Sequence, residues 1–296
     1  MYLVLVEAFT YEFFWLANFS GLMGRPAMNP RSLITGETIR LAAVLAGAWV
    51  MSRLERRSLG DYGLPLRGGL AKHFCQGAAF GILEISAVLG TLAALGYYHF
   101  GAVELHGTQL IQWLAFWMAF FIVVGLFEEF AFRGYVQFAL TQGLGFWLAS
   151  LLTSLTFGAV HLTNPGETWT GIAGVVLTGL FWCFTLRRTG SLWFAVGMHA
   201  AFDFGETFLY SVPDSGTVFP GQRALPDDDE RPLGLGESLA EIVSHAHDFA
   251  GRFHLRTKNC VHAGKFVPGE DWRFDEIVCS GDEVAAIGYL LGHELP

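Results

Sequence analysis

The chain has 296 residues, 52% of them hydrophobic and 15% charged, with a net charge of −9. A soluble domain carries about a quarter charged residues, so the composition excludes an ordinary soluble globule. No basic patch is present, which excludes a nucleic-acid binder. The missing charge is concentrated. No Asp, Glu, Lys or Arg occurs in 105–127, 134–166 or 168–186, and a spanning helix needs roughly 20 apolar residues. The sequence therefore predicts an all-α fold, a polytopic transmembrane helical bundle of about seven spans with a short non-membrane C-terminal tail.

In chain order, "MYLVLVEAFTYEFFWLANF" opens the sequence. It lacks the basic start of a signal peptide and reads as a first span, about 1–20, although it contains Glu7 and Glu12. Spans follow at 33–53 and 73–98. The loop between them carries Arg53, Arg56, Arg57, Arg67 and Lys72, which places it in the cytoplasm by the positive-inside rule. The fourth span, 108–128, is expected to continue as a long helix through Leu140. Spans at 145–163, 169–187 and 191–211 complete the set. Arg187 and Arg188 fall on the cytoplasmic side by this count, Arg25 and Arg31 dissent, and the loops 99–107 and 163–168 lack Lys and Arg. The reading is a multi-pass protein of a bacterial plasma membrane, in contact with membrane lipid, with a cytoplasmic N-terminus. Gly-rich stretches such as "GIAGVVLTG" (171–179) read as close helix packing, and Cys75 and Cys183 as small hydrophobes.

The composition changes after Gly221. "PDDDERP" (226–232) reads as an acidic linker. Ser238 and Glu241 have capping-box spacing before an apolar stripe at Leu239, Ile242, Val243 and Ala246. The later histidines and Cys260 and Cys279 have no zinc-site spacing. The expected division is a membrane domain, 1–220, and a polar appendage of unassigned role, 221–296.

Ionisable groups inside spans are costly, by insertion scales about 2.5–3.5 kcal/mol at the centre, and they mark sites. In the last four spans the set is Glu128, Glu129, Arg133, His161, His199, Asp203 and Glu206. Glu129 and Arg133 are i,i+4 and can pair on one face, while Glu128 points about 100° away. His199 and Asp203 are also i,i+4. His161 ends the fifth span. A depth count leaves these groups apart, with the glutamates near the cytoplasmic end, His161 near the outer end and His199 mid-span. A carboxylate beside a histidine can activate water. Two histidines with carboxylates also make a plausible set for a divalent metal such as zinc, with candidates Glu128, His161, His199 and Asp203. Either arrangement suits amide hydrolysis in a cavity within the membrane.

"EEFAFR" (128–133) fits EExxxR, "FGAVH" (157–161) fits FxxxH and "HAAFD" (199–203) fits HxxxN/D. In this order, in successive apolar segments, they resemble the CPBP family, also called the Abi or type II CAAX prenyl endopeptidase-like family of intramembrane proteases. The resemblance covers about 110–212. It implies an endopeptidase acting on membrane-bound peptide or protein substrates, including prenylated CAAX-type ones. It makes Glu128 the general base, with His161 sharing that task or binding a metal. Glu129 and Arg133 become a supporting pair. His199 and Asp203 stabilise the oxyanion or complete a metal site. Asp203 stands where Asn is common, and an ionised Asp would repel an oxyanion, so orienting His199 or binding metal suits it better. Family members also include bacteriocin-immunity and scaffold proteins, which keeps a non-catalytic membrane role open. A transporter with a proton-relay carboxylate is a third reading, weakened because no inverted repeat is visible.

Overall fold

A computed structural model describes residues 1–23, 29–66, 69–101, 105–164 and 166–217, together with the backbone of 260–263 and 276–279. The chain divides into two units, Met1–Ala240 and Glu241–Pro296. The boundary expected at 220–221 lies outside the described residues, as do the linker and the capping box at Ser238. In the second unit Cys260–Ala263 pairs antiparallel with Glu276–Cys279.

Among the described residues, the long elements of the first unit are helices: α1 (Tyr2–Phe19), α2 (Pro30–Glu55), α3 (Leu70–Ala94), α4 (Gly107–Arg133), α5 (Tyr135–Leu144), α6 (Phe146–His161), α7 (Trp169–Thr189) and α8 (Trp193–Phe204). The expected seven segments are all helical. Among the described residues, four helical stretches are long and apolar enough to cross a membrane: α2, α3, the run Gly107–Leu144 and α7. Large apolar side chains point outward along them and along α6, including Phe80, Leu83, Met118, Trp147, Leu151, Leu155, Leu177 and Phe181. A water-facing surface would not carry such a continuous apolar coat. The protein is an integral membrane protein.

Two elements differ from expectation. The fourth helix does not run unbroken through Leu140. It stops at Arg133, and α5 starts afresh after Gly134, whose φ of −80° and ψ of −118° leave the helical region. A Cβ at Gly134 would sit 2.4 Å from the carbonyl oxygen of Phe130, so this bend requires a residue without a side chain. The last segment, expected over 191–211, is the 12-residue α8 followed by one π turn, Gly205–Leu209.

The short α8 is the centre of the bundle. Apart from His199 and Asp203 it is apolar all round, as suits a helix enclosed by others, and Ala195 to Ala200 are all buried. Val196 joins the cluster of Val44, Tyr62, Phe130 and Tyr135. Ala200 packs with Trp117, Phe120 and Phe121, while Ala195 and Met198 pack with Phe157 and Trp182. Its entry is pinned by the preceding loop. The Leu192 amide donates to Gly63 O at 2.7 Å, and the Trp193 indole N–H donates to Pro65 O at 2.8 Å.

Glycines set how closely α3 approaches α8. A Cβ at Gly77 would fall 2.0 Å from Phe194 O, one at Gly81 2.2 Å from Met198 O, and one at Gly197 2.2 Å from Phe74 O. The two backbones touch along this seam, the small-residue packing that serves where lipid removes the hydrophobic drive between helices. Gly125 brings α4 against α8 in the same way, 3.1 Å from Val196 O. Gly81→Val must therefore push α3 and α8 apart. The expected destabilisation is about 3 kcal/mol, the upper end of ordinary overpacking, read as a fall in melting temperature of the detergent-solubilised protein. Gly90→Ala on the same helix meets nothing within 4 Å and should leave the melting temperature unchanged or slightly higher.

Candidate active site

The Gly125 contact lays the last turns of α4 beside the middle of α8, so the glutamates and His199 meet despite their different expected depths. Arg133, the last residue of α4, is fully buried, and its Nη1 donates to Glu129 Oε1 at 3.2 Å. The i,i+4 spacing predicted this pair. Its surroundings were not predicted. The guanidinium lies 4.2 Å from the centre of the Phe157 ring and 5.4 Å from that of Trp182. Its Nε and Nη2 find no hydrogen-bond acceptor among the described residues, and aromatic faces stand where acceptors would otherwise be needed. Space for it comes from Gly179 on α7, where a Cβ would come within 2.3 Å of Nη2.

Glu129 Oε1 also faces His199 Nδ1 at 3.0 Å. One carboxylate oxygen thus links Arg133 on α4 to the imidazole on α8. The opposite ring nitrogen, Nε2, lies 3.3 Å from Asp203 Oδ2 and 3.6 Å from Glu128 Oε2. The Trp182 indole stacks on the imidazole at 4.5 Å and 17°. His199 is therefore fixed by carboxylates at both nitrogens and by an aromatic plane on its face. Since an ionised carboxylate only accepts, this arrangement makes both ring nitrogens donors, the state that matches Glu129 on one side and Asp203 on the other. Glu128 differs from its neighbour as the helix angle requires. Glu129 is fully buried, whereas the Glu128 side chain is 23% exposed.

His161 closes α6. Its Nδ1 lies 2.8 Å from Phe157 O, so Nδ1–H donates to that carbonyl and Nε2 carries the free lone pair. The ring packs edge-on to Phe157 at 4.6 Å, and Phe157 in turn packs edge-on to His199 at 6.1 Å. His161, His199 and Asp203 line one cavity of about 300 Å³, together with Trp182, Glu206 and the start of α7. The structure thus gathers Glu128, Glu129, Arg133, His199 and Asp203 into one network, with His161 on the same cavity wall but with its hydrogen bond to Phe157.

The sequence reading did not single out Asp214 or Trp182. Asp214 follows the last helix in "VPDSG", which reads as an ordinary turn. It is buried, and its carboxylate atoms lie within 4.8 Å of those of Asp203 and Glu206. Burial pushes the Asp214 carboxyl well above the ordinary carboxylate range, and the charges of Asp203 and Glu128 add to it. Trp182 gives no local signal, being one aromatic in an apolar span.

The donor atoms that converge do not form the expected zinc set. Among the described residues, the ligand atoms lying within 4.8 Å of one another belong to Asp203, Glu206 and Asp214. That set is all oxygen, whereas catalytic zinc is held mostly by histidine nitrogens. His199 spends both nitrogens on carboxylates, and His161 stands apart from the trio.

Residues 108–205 match the family model of type II CAAX prenyl endopeptidase Rce1-like proteins. That segment runs from the start of α4 to the end of α8 and contains all seven residues of the three motifs. No curated protein and no solved structure matches the chain.

Proposed function

We propose, from the premise that residues 108–205 belong to the type II CAAX prenyl endopeptidase family, that this integral membrane protein is an intramembrane endopeptidase. Its substrates are peptides or proteins held at the membrane. The observation that carries the reading is the doubly clamped imidazole of His199, set beside the partly exposed Glu128 and opening with His161 on a cavity inside an apolar bundle.

The mechanism follows from the residues. Glu128 takes a proton from water as the water oxygen attacks the substrate carbonyl carbon. The bare Nε2 of His161, which lines the cavity with His199, holds the same water. The carbonyl oxygen becomes an oxyanion and takes a hydrogen bond from His199 Nε2–H. Donors already in place where charge develops are usually the largest single contribution to such a reaction. Glu128 then returns its proton to the leaving nitrogen as the C–N bond breaks. Glu129 and Arg133 position His199 without touching substrate. Asp203 holds Nε2–H until substrate arrives, a role that suits a carboxylate better than direct contact with an oxyanion would. The bacterial plasma membrane and a cytoplasmic N-terminus complete the proposal.

The test is cleavage of a membrane-anchored peptide by the purified full chain in lipid vesicles. Glu128→Gln removes the base with little change of shape and should lower kcat by about 10²–10⁴, the usual contribution of a general base, with an unchanged melting temperature. Full cleavage in Glu128→Gln or in His161→Ala would overturn the roles given to those residues, whereas no cleavage by the wild-type chain would favour a non-catalytic scaffold or immunity-type role.

A further inference from the structure

The cavity that meets His161 and His199 has a one-signed wall. Four carboxylates line it: Glu84 from α3, Glu167 from the loop before α7, and Asp203 and Glu206 at the end of α8. Asp214 stands behind the last two. No Lys or Arg is among the lining residues. The nearest buried cation, Arg133, is committed to Glu129 and screened by the rings of Phe157 and Trp182. The positive ring of His199 is already balanced by the carboxylates that clamp it.

Not every one of these acids carries a full charge. Glu206 and Asp214 each place a carboxylate oxygen within 4.8 Å of the other and of Asp203, and like charges that close in a buried site do not all ionise. Glu84 and Glu167 are different. Each is only partly buried, and neither has an ion pair among the described residues. Glu167 accepts only from the neighbouring Thr168 amide, at 2.9 Å. They come from different elements and face the same space. Apolar side chains such as Val88, Val175 and Phe202 make up much of the remaining wall, with Thr170 and Thr178 among them. A cleft of one sign between low-dielectric walls concentrates ligands of the opposite sign and rejects those of its own.

We propose that this cavity selects peptide segments bearing a lysine or arginine, and disfavours segments with acidic side chains. Glu84 and Glu167 are the specificity-determining residues. The apolar part of the wall takes the aliphatic stem of the basic side chain while the carboxylates take its charged end. The inference rests on the endopeptidase reading and names the substrate class of that site.

The experiment uses the full chain in vesicles of neutral lipid, so that the membrane surface adds no charge preference. Membrane-anchored peptides are first cut, and the bond is located by mass spectrometry. Matched peptides then carry lysine, glutamine or glutamate at each of the three positions on either side of that bond. The expected result is a kcat/KM at least tenfold higher for lysine than for glutamate at one or more positions, with glutamine between them. In Glu84→Gln with Glu167→Gln that ratio falls towards one. The ratio does not depend on how much of the variant folds. Equal or better cleavage of the glutamate peptides overturns the inference and leaves the endopeptidase reading standing. Cleavage of no peptide overturns that reading. Competition between the same peptides for binding then decides the charge preference by itself: stronger displacement by lysine peptides supports it, and equal displacement by lysine and glutamate peptides overturns it.

Discussion

Arg133→Leu destabilises the folded protein by about 3–5 kcal/mol, the size of effect expected when one partner of a buried ion pair is removed and the other is left uncompensated. Two features put this substitution at the upper end. Glu129 has no exposure to water, and its other oxygen already lacks a hydrogen-bond partner among the described residues. The arginine also fills a pocket between Phe157, Trp182 and Gly179 that leucine cannot occupy. The double variant Arg133→Leu with Glu129→Leu removes both charges, and it should recover a large part of the melting temperature lost in the single variant. Neither variant should recover cleavage, because Glu129 is also the acceptor for His199 Nδ1. Comparing melting temperature and kcat across wild type, both single variants and the double separates folding from positioning. A double variant as unstable as the single would show that the aromatic seat of Arg133, and not its charge, carries the stability.

His199→Ala lowers kcat by about 10²–10³, the effect of removing one oxyanion donor, and lowers melting temperature far less than Arg133→Leu. The imidazole is buried, yet its removal leaves Glu129 still paired with Arg133. KM for a membrane-anchored peptide should change little, since the Nε2–H contact forms only as the oxyanion does. His199→Gln offers one N–H group from a longer chain but cannot reach Glu129 and Asp203 together, so it should stay within tenfold of His199→Ala. Activity of His199→Gln near wild type would mean that the double clamp is not needed. A rise in KM with kcat intact would move His199 from the reaction to substrate binding.

The sequence was most informative about features that depend on neighbours in the chain. Apolar runs marked the helices, and i,i+4 spacing gave both the Glu129–Arg133 pair and the His199–Asp203 pair. What it did not give depends on how helices dock. The bond from Glu129 to His199 joins residues 70 apart in sequence. It exists because Gly125 lets α4 lie close to Val196 and Ala200. A glycine in an apolar span signals close approach but not its partner. For the same reason the depth count, which treats every span as a full-length straight rod, separated groups that the 12-residue α8 and the break at Gly134 bring together. Asp214 was hidden because a Pro-Asp-Ser-Gly turn usually lies in water, and here it folds back to the acid cluster. Trp182 was hidden because its stacking on His199 requires the α7–α8 contact to be known.

The seam between α3 and α8 also has a consequence in time. Gly77 seats against Met198, 121 residues later (198 − 77), so α3 leaves the ribosome long before the helix it must touch. Until α8 follows, Glu129 and Arg133 have each other but no imidazole, and the glycine face of α3 has nothing against it. A nascent chain halted between residues 129 and 198 therefore carries both glutamates and cannot complete the site. Biosynthesis itself keeps the candidate site unassembled until α8 is inserted.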